Sequence, residues 1–276
     1  MVIDFHSHLV HYRSSTESYL DLLRAEWGDR AEWVNSHYAS PENYLRLMDE
    51  CGVDYTVILA ELAPVTTGIC TNEDVAAFCA FSPRLLPYAS INPHRSLRPA
   101  EELRRLVCDR GFRGLKLYPT YQYFYPNDAM LYPLYAVAQE LGIPVSLHLG
   151  SSVFAGSRIK YGDPIGLDDV AVDFPDLALL MCHCGRPFWY DQAFGLARLH
   201  RNLYLEISGL PPQKLLTYFP ELERVADKVI FGSDFPGVSR IAANIEAIRA
   251  LPLSPVTKDK ILGGNAARLL RLPSRA

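Results

Sequence analysis

Short apolar, β-branched runs recur along the chain at residues 2–8, 55–62, 85–92, 112–118, 144–150, 177–185, 203–208 and 228–234. Each has the length and composition of a strand. After the first, their starts lie 25 to 33 residues apart, about one strand–helix unit each. The gaps carry helical signals. Ser40-Pro41 supplies a cap and a proline for a first turn, and Gly52 follows that helix's end. Thr71 with Asp74 three residues on has the pattern of a capping box. Residues 99–109 present Leu103, Leu106 and Val107 on one face and stop before Gly111. Residues 128–140 end at Leu141-Gly142, and 241–250 repeat the apolar spacing of a buried helix face.

Eight strand–helix repeats predict parallel strands joined by helical crossovers. Eight such units close into a (β/α)8 TIM barrel, a fold that needs about 250 residues. The chain has 276, so residues 1–276 read as one α/β domain. An open doubly wound sheet often has a glycine-rich phosphate loop after its first strand, and His-Ser-His-Leu-Val is no such loop.

Composition narrows the function classes. The chain is 49% hydrophobic and 21% charged with a formal charge of -4, which is ordinary for a globular protein. The mild acidity and the lack of a basic block argue against nucleic-acid or membrane partners. No apolar run approaches the roughly 20 residues that span a bilayer. Met1 leads directly into a strand pattern with no signal-peptide pattern, so a cytoplasmic protein is expected. The six cysteines form no C-x-x-C pair and read as reduced, mostly buried residues.

In a TIM barrel the chemistry lies at the C-terminal ends of the strands. Strand side chains alternate faces. His6 and His8 therefore share a face, opposite Phe5 and Ser7. His148 faces opposite Val145, Leu147 and Leu149. His183 faces opposite Cys182 and Cys184, which places the thiols towards the helices. Lys116 faces opposite Leu115 and Leu117, and Asp234 closes the last run. A single inward histidine is ordinary core. Four histidines and an aspartate at matched positions would need five separate partners if no metal were present. Imidazoles with a carboxylate suit zinc or a similar divalent ion.

The motifs D-F-H-S-H (4–8), G-L-K-L-Y-P (114–119), S-L-H-L-G (146–150), C-H-C-G (182–185) and F-G-S-D-F-P (231–236) occur in this order. With the closing I-L-G-G-N-A-A-R-L-L (261–270), the set resembles the amidohydrolase superfamily across essentially the whole chain. Within it the similarity is to the amidohydrolase-related branch of metal-dependent hydrolases and decarboxylases of the aminocarboxymuconate-semialdehyde type. The resemblance implies that His6, His8, His148 and Asp234 ligate one metal ion, zinc by preference. It implies that His183 acts on the substrate or as an extra ligand. The chain lacks the glutamate that adenosine-deaminase-like members carry after the strand-five histidine, and has Lys116 where TatD-like nucleases have glutamate. Two-metal subtypes use a carboxylated lysine on strand four, so Lys116 leaves a binuclear site open. Otherwise Lys116 pairs with a carboxylate such as Asp4 or Glu61, or orients an anionic substrate.

Hydrolysis is the first expectation. A metal-activated water would attack an amide, lactone or related carbonyl, with Asp234 moving the proton and His183 stabilising the oxyanion. Non-oxidative decarboxylation of a carboxylated aromatic or unsaturated acid is the alternative. In it Asp234 or His183 protonates the carbon and Arg13 is a candidate to hold a carboxylate. A non-catalytic metal-binding barrel is a third reading, disfavoured because no ligand is missing. The connection from Leu9 to Gly52 contains Tyr12, Trp27, Trp33, His37 and Tyr38, and a second aromatic stretch runs from Tyr118 to Tyr125. These rings suit a flat small-molecule substrate. The bland alternatives are loop packing or a contact between copies in a homo-oligomer. Glu206 shares a face with Ser208 and reads as a supporting acid or a barrel-core ion pair.

Overall fold

The computed structural model describes residues 1–9 and 14–273. Its barrel strands are β1 (Ile3–His8), β2 (Tyr55–Leu59), β3 (Leu85–Ser90), β4 (Leu115–Leu117), β5 (Val145–His148), β6 (Leu179–Cys182), β7 (Leu203–Glu206) and β8 (Val229–Ile230). They form one parallel sheet in chain order, β1 to β8. The ladder closes through the segment after β8. Phe5 donates its N–H to Phe231 O at 3.0 Å, Asp234 donates to His6 O at 2.8 Å, and His8 donates to Phe235 O at 2.7 Å. The TIM barrel expected from the eightfold repeat is the fold observed.

The alternation of side chains sorts two apolar layers. Ile58, Ala89, Leu115, Leu117, Val145, Leu147, Met181 and Leu205 belong to the large core between sheet and helices. Ile3, Phe5, Val57, Leu59, Leu86, Tyr88, Leu180 and Ile230 fill the barrel's interior. Gly114 is required there, because a Cβ would lie 2.2 Å from the Tyr88 ring. Beyond this plug the inward positions turn polar, which places the chemistry at the strands' C-terminal ends.

The helices begin and end where local chemistry dictates. Ser40 Oγ accepts from Asn43 N–H, Pro41 occupies the first turn, and Gly52 takes a left-handed conformation after helix Pro41–Cys51. Thr71 and Asp74 form the reciprocal capping box. Helix Pro99–Arg110 buries Leu103 and Leu106. The helix expected from residue 128 starts at Tyr132, after a 3-10 turn over Ala129–Leu131. Pro133 has no N–H to donate, so it fits only in a helix's first turn. Outside the barrel, Ser14–Ser15, Glu61–Ala63 and Gly68–Cys70 make a small antiparallel sheet. Among the described residues no helix is long and apolar enough to cross a membrane.

Candidate functional site

The expected alternation fails at β1, and the failure builds the site. Asp4 is in register with Thr56, but Ser7 with Ile58, so β1 carries one extra residue. Such a bulge places neighbouring residues on one face. Phe5 therefore points into the barrel beside Tyr88, with ring centroids 5.5 Å apart, while His6 and His8 also point inward above it. Only Ser7 of the expected outward pair faces the helices, where its hydroxyl meets the Tyr44 hydroxyl at 2.6 Å.

Each inward histidine is oriented by a partner. His6 Nδ1 lies 2.9 Å from Glu206 Oε2, and His8 Nδ1 lies 3.3 Å from Glu61 Oε2. His183 Nδ1 lies 2.9 Å from Ser208 O, and its Nε2 lies 3.1 Å from His148 Nδ1. Carboxylates and carbonyls only accept, so these Nδ1 atoms carry the hydrogens. His183 Nε2 then accepts from His148 Nδ1–H. Nε2 then carries the lone pair on His6, His8 and His148. His6 Nε2 is 3.5 Å and His8 Nε2 3.7 Å from the same oxygen, Asp234 Oδ1. Among the described residues, His148 Nε2 is buried with no hydrogen-bond partner. Burial holds His6, His148 and His183 well below the usual imidazole range. The Lys116 charge adds for His6 and His148, and Arg186 for His183. Burial also lowers His8, against the opposing pull of Glu61 and Asp234. The rings are neutral and ready to donate electron pairs.

The turn after β6 corrects the expected placement of one thiol. The strand ends at Cys182, and His183, Cys184 and Gly185 then have φ of 62°, 52° and 72°. This left-handed turn breaks the alternation, so Cys182 and His183 both face inward. Cys182 offers a sulfur within 4.8 Å of ligand atoms of His6 and Glu206. Burial raises this thiol to about 12. Cys184 packs in the outer core as expected.

Lys116 points inward and is fully buried, with Nζ 5.2 Å from the centre of the Tyr118 ring. It forms no ion pair with Asp4 or Glu61, and its charge acts instead on Cys182 and Glu206. Asp4 faces outward instead and accepts from Ser233 N–H and Oγ–H at 2.7 and 2.6 Å. Burial lifts its carboxyl to about 7. Arg13 and Tyr12 lie outside the described residues. Glu206 is the orienting acid behind His6. Burial raises its carboxyl, opposed by the Lys116 charge, and Ser208 N–H and Oγ–H donate to it at 2.9 and 2.8 Å. Gly232 is the opening through which this pair meets, since a Cβ there would lie 2.4 Å from Glu206 Oε1 and 2.6 Å from His6 Cβ.

His6, His8, Glu61, His148, His183 and Asp234 line a cavity of about 260 Å³ together with Tyr19, Leu22, Tyr121, Phe154 and Arg186. Engineered cavities of about 150 Å³ hold benzene, so this volume accepts one substituted ring. Of the aromatic residues expected to shape the pocket, Tyr118 and Tyr121 line it. Trp33 stacks on His37 elsewhere, with centroids 4.3 Å apart, and Trp27 donates its indole N–H to Pro236 O at 2.8 Å. Arg186 and Tyr19 escaped the sequence reading. The arginine follows the C-H-C-G motif, but nothing in the pattern reveals the turn that aims it.

The donor set fits a divalent cation. One ligand atom each from His6, His183 and Asp234 lie within 4.8 Å of one another, and both nitrogens of His183 are engaged in the network above. His8 and His148 belong to neither set of ligand atoms within 4.8 Å of one another, but both line the same cavity.

Comparison with known proteins agrees with this architecture. The family model described as Amidohydrolase matches residues 3–272. An uncharacterized TIM-barrel protein from Bordetella bronchiseptica is 27% identical, with a TM-score of 0.81 and 98% of each chain covered. A dihydroxybenzoic acid decarboxylase from Polaromonas, with bound manganese and 2-nitroresorcinol, is 20% identical with a TM-score of 0.74, covering 100% of this chain and 98% of that one. The 4-oxalomesaconate hydratase of Rhodopseudomonas palustris is 23% identical with a TM-score of 0.67, covering 98% of this chain and 96% of that one.

Proposed function

Because the chain belongs to the amidohydrolase family, we propose that it is a metal-dependent, non-oxidative decarboxylase of a carboxylated aromatic or unsaturated acid. The observation that carries this reading is the cavity of about 260 Å³, walled by Tyr121 and Phe154 and bordered by Asp234. It takes one planar ring beside Asp234, with Glu61 also on its wall. Structures of 2,6-dihydroxybenzoate and 5-carboxyvanillate decarboxylases also resemble this chain, which favours carbon dioxide loss over the hydrolysis expected first.

His6, His8, His148 and Asp234 would hold the ion. A divalent ion there would supply Lewis-acid charge that neutralises substrate oxygens. The nitrogen-rich donors suit zinc, and manganese is the ion in the Polaromonas structure. Glu206 and Glu61 hold the rings of His6 and His8, and His183 holds that of His148, so the donors are oriented before any ligand arrives. Asp234 delivers a proton to the carbon that bears the carboxylate. A C–H bond forms there, the C–C bond to the carboxylate breaks, its electron pair returns to the substrate's π system, and carbon dioxide leaves. Tyr121 and Phe154 exclude water from one side of the ring.

The test uses protein with its metal content measured, offered hydroxybenzoates, other carboxylated aromatics, amides and lactones. Carbon dioxide release with no oxygen taken up from labelled water is the expected result. Label in the product without carbon dioxide returns the protein to the hydrolases.

A further inference from the structure

Arg186 lines the cavity, yet the metal-ligand network does not use it. The left-handed turn over His183–Gly185 carries the chain from the inward strand end to this position. Arg186 Nη1 donates to Gly209 O at 2.9 Å. Gly209 has φ 66°, and a Cβ on it would lie 1.9 Å from that nitrogen, so the guanidinium occupies space that only glycine leaves. Among the described residues this is the side chain's single hydrogen bond. Nη2 stops 3.8 Å from Asp234 Oδ2, beyond hydrogen-bond reach, with the side chain 27% exposed. A guanidinium has five N–H donors in a planar fork matched to a carboxylate. One edge is anchored, and the other is open beside the proton-carrying aspartate.

We infer that Arg186 is the substrate's carboxylate-binding residue, and that the site selects a planar ring bearing a carboxylate over its neutral analogues. For the reaction after binding, this role rests on the decarboxylase reading. A carboxylate on the free edge lies next to Asp234, which places the carbon that bears it within reach of the proton. The ring then extends towards Tyr121, which sits between His148 at 4.6 Å and Phe154 at 5.8 Å between centroids. Charge here is a requirement of recognition. A neutral amide of the same shape leaves the guanidinium's open edge without an acceptor.

The test measures benzoate and benzamide binding by equilibrium dialysis, in ion-loaded protein and again after chelation. Wild type should prefer benzoate by about tenfold or more in both states, the worth of a charge-assisted hydrogen bond. Arg186→Gln should abolish the preference in the chelated protein. Arg186→Lys should retain part of it, because the charge stays while the fork is lost. Equal binding of the two probes by chelated wild type overturns the inference, as does a preference that survives in Arg186→Gln. The reaction is read separately. A benzoate preference without carbon dioxide release from any acid would sink the decarboxylase reading and leave the binding role standing.

Discussion

Gly232→Ala is the sharpest steric probe of the site. The added methyl would lie 2.4 Å from Glu206 Oε1, 2.6 Å from His6 Cβ and 3.2 Å from His6 N. The first two separations are far inside contact distance, so one partner must retreat. Glu206 cannot swing freely, because it is held by His6 Nδ1 at 2.9 Å and by Ser208 at 2.9 and 2.8 Å. β1 cannot recede without disturbing the seam where Asp234 N–H meets His6 O. Overpacking of this kind costs about 1–3 kcal/mol. Loss of the partner that orients a metal-bound histidine costs a further 10–100-fold, roughly, in metal affinity. The assay pairs thermal unfolding with competition for the metal against a chromophoric chelator. In a chain of this size the melting temperature should fall by about 2–12 °C. Gly195→Ala is the control. It lies inside helix Tyr190–Leu199 with open space around it, and alanine should stabilise it by about 0.4–1 kcal/mol. Unchanged metal affinity and melting temperature in Gly232→Ala would refute the proposed support of His6 by Glu206.

Glu206→Gln should keep the barrel, since the shape is conserved, but weaken metal binding by about 10–100-fold, as measured by the same competition. Asp234→Asn should lower turnover by at least about 100-fold, because the amide carries no transferable acid proton, and near-native turnover with metal bound would contradict its assignment. Ser40→Ala removes the cap on Asn43 N–H and should cost about 1 kcal/mol in denaturant unfolding while leaving turnover unchanged.

The barrel was legible because each repeat is local. Eight apolar runs and their caps each state an element, and parallel topology follows from the alternation. The bond partners that make the site were only half legible. His6, His8, His148 and Asp234 stand out by type and position. The β1 bulge and the left-handed turn after Cys182 do not, since both depend on how neighbouring strands fit. Strict alternation therefore misplaced Phe5 and Cys182. Glu206 was visible as an inward acid, but its partner lies on the far side of the chain. Lys116 was legible as inward, but of its alternatives the pairing with Asp4 or Glu61 is not formed, because a strand pattern gives the face but not the reach of a side chain.

The seam between the first and last barrel segments bears on folding as well as chemistry. Ser233 Oγ–H reaches Asp4 Oδ2 across 229 positions of sequence, and the candidate ligands stand on both banks of that join. Bringing such distant segments together is entropically costly. A cation bound there would act as a clasp, adding its binding free energy to the closed barrel alone. Metal uptake thus reports ring closure, and stripping the ion should loosen the first strand before the body of the barrel.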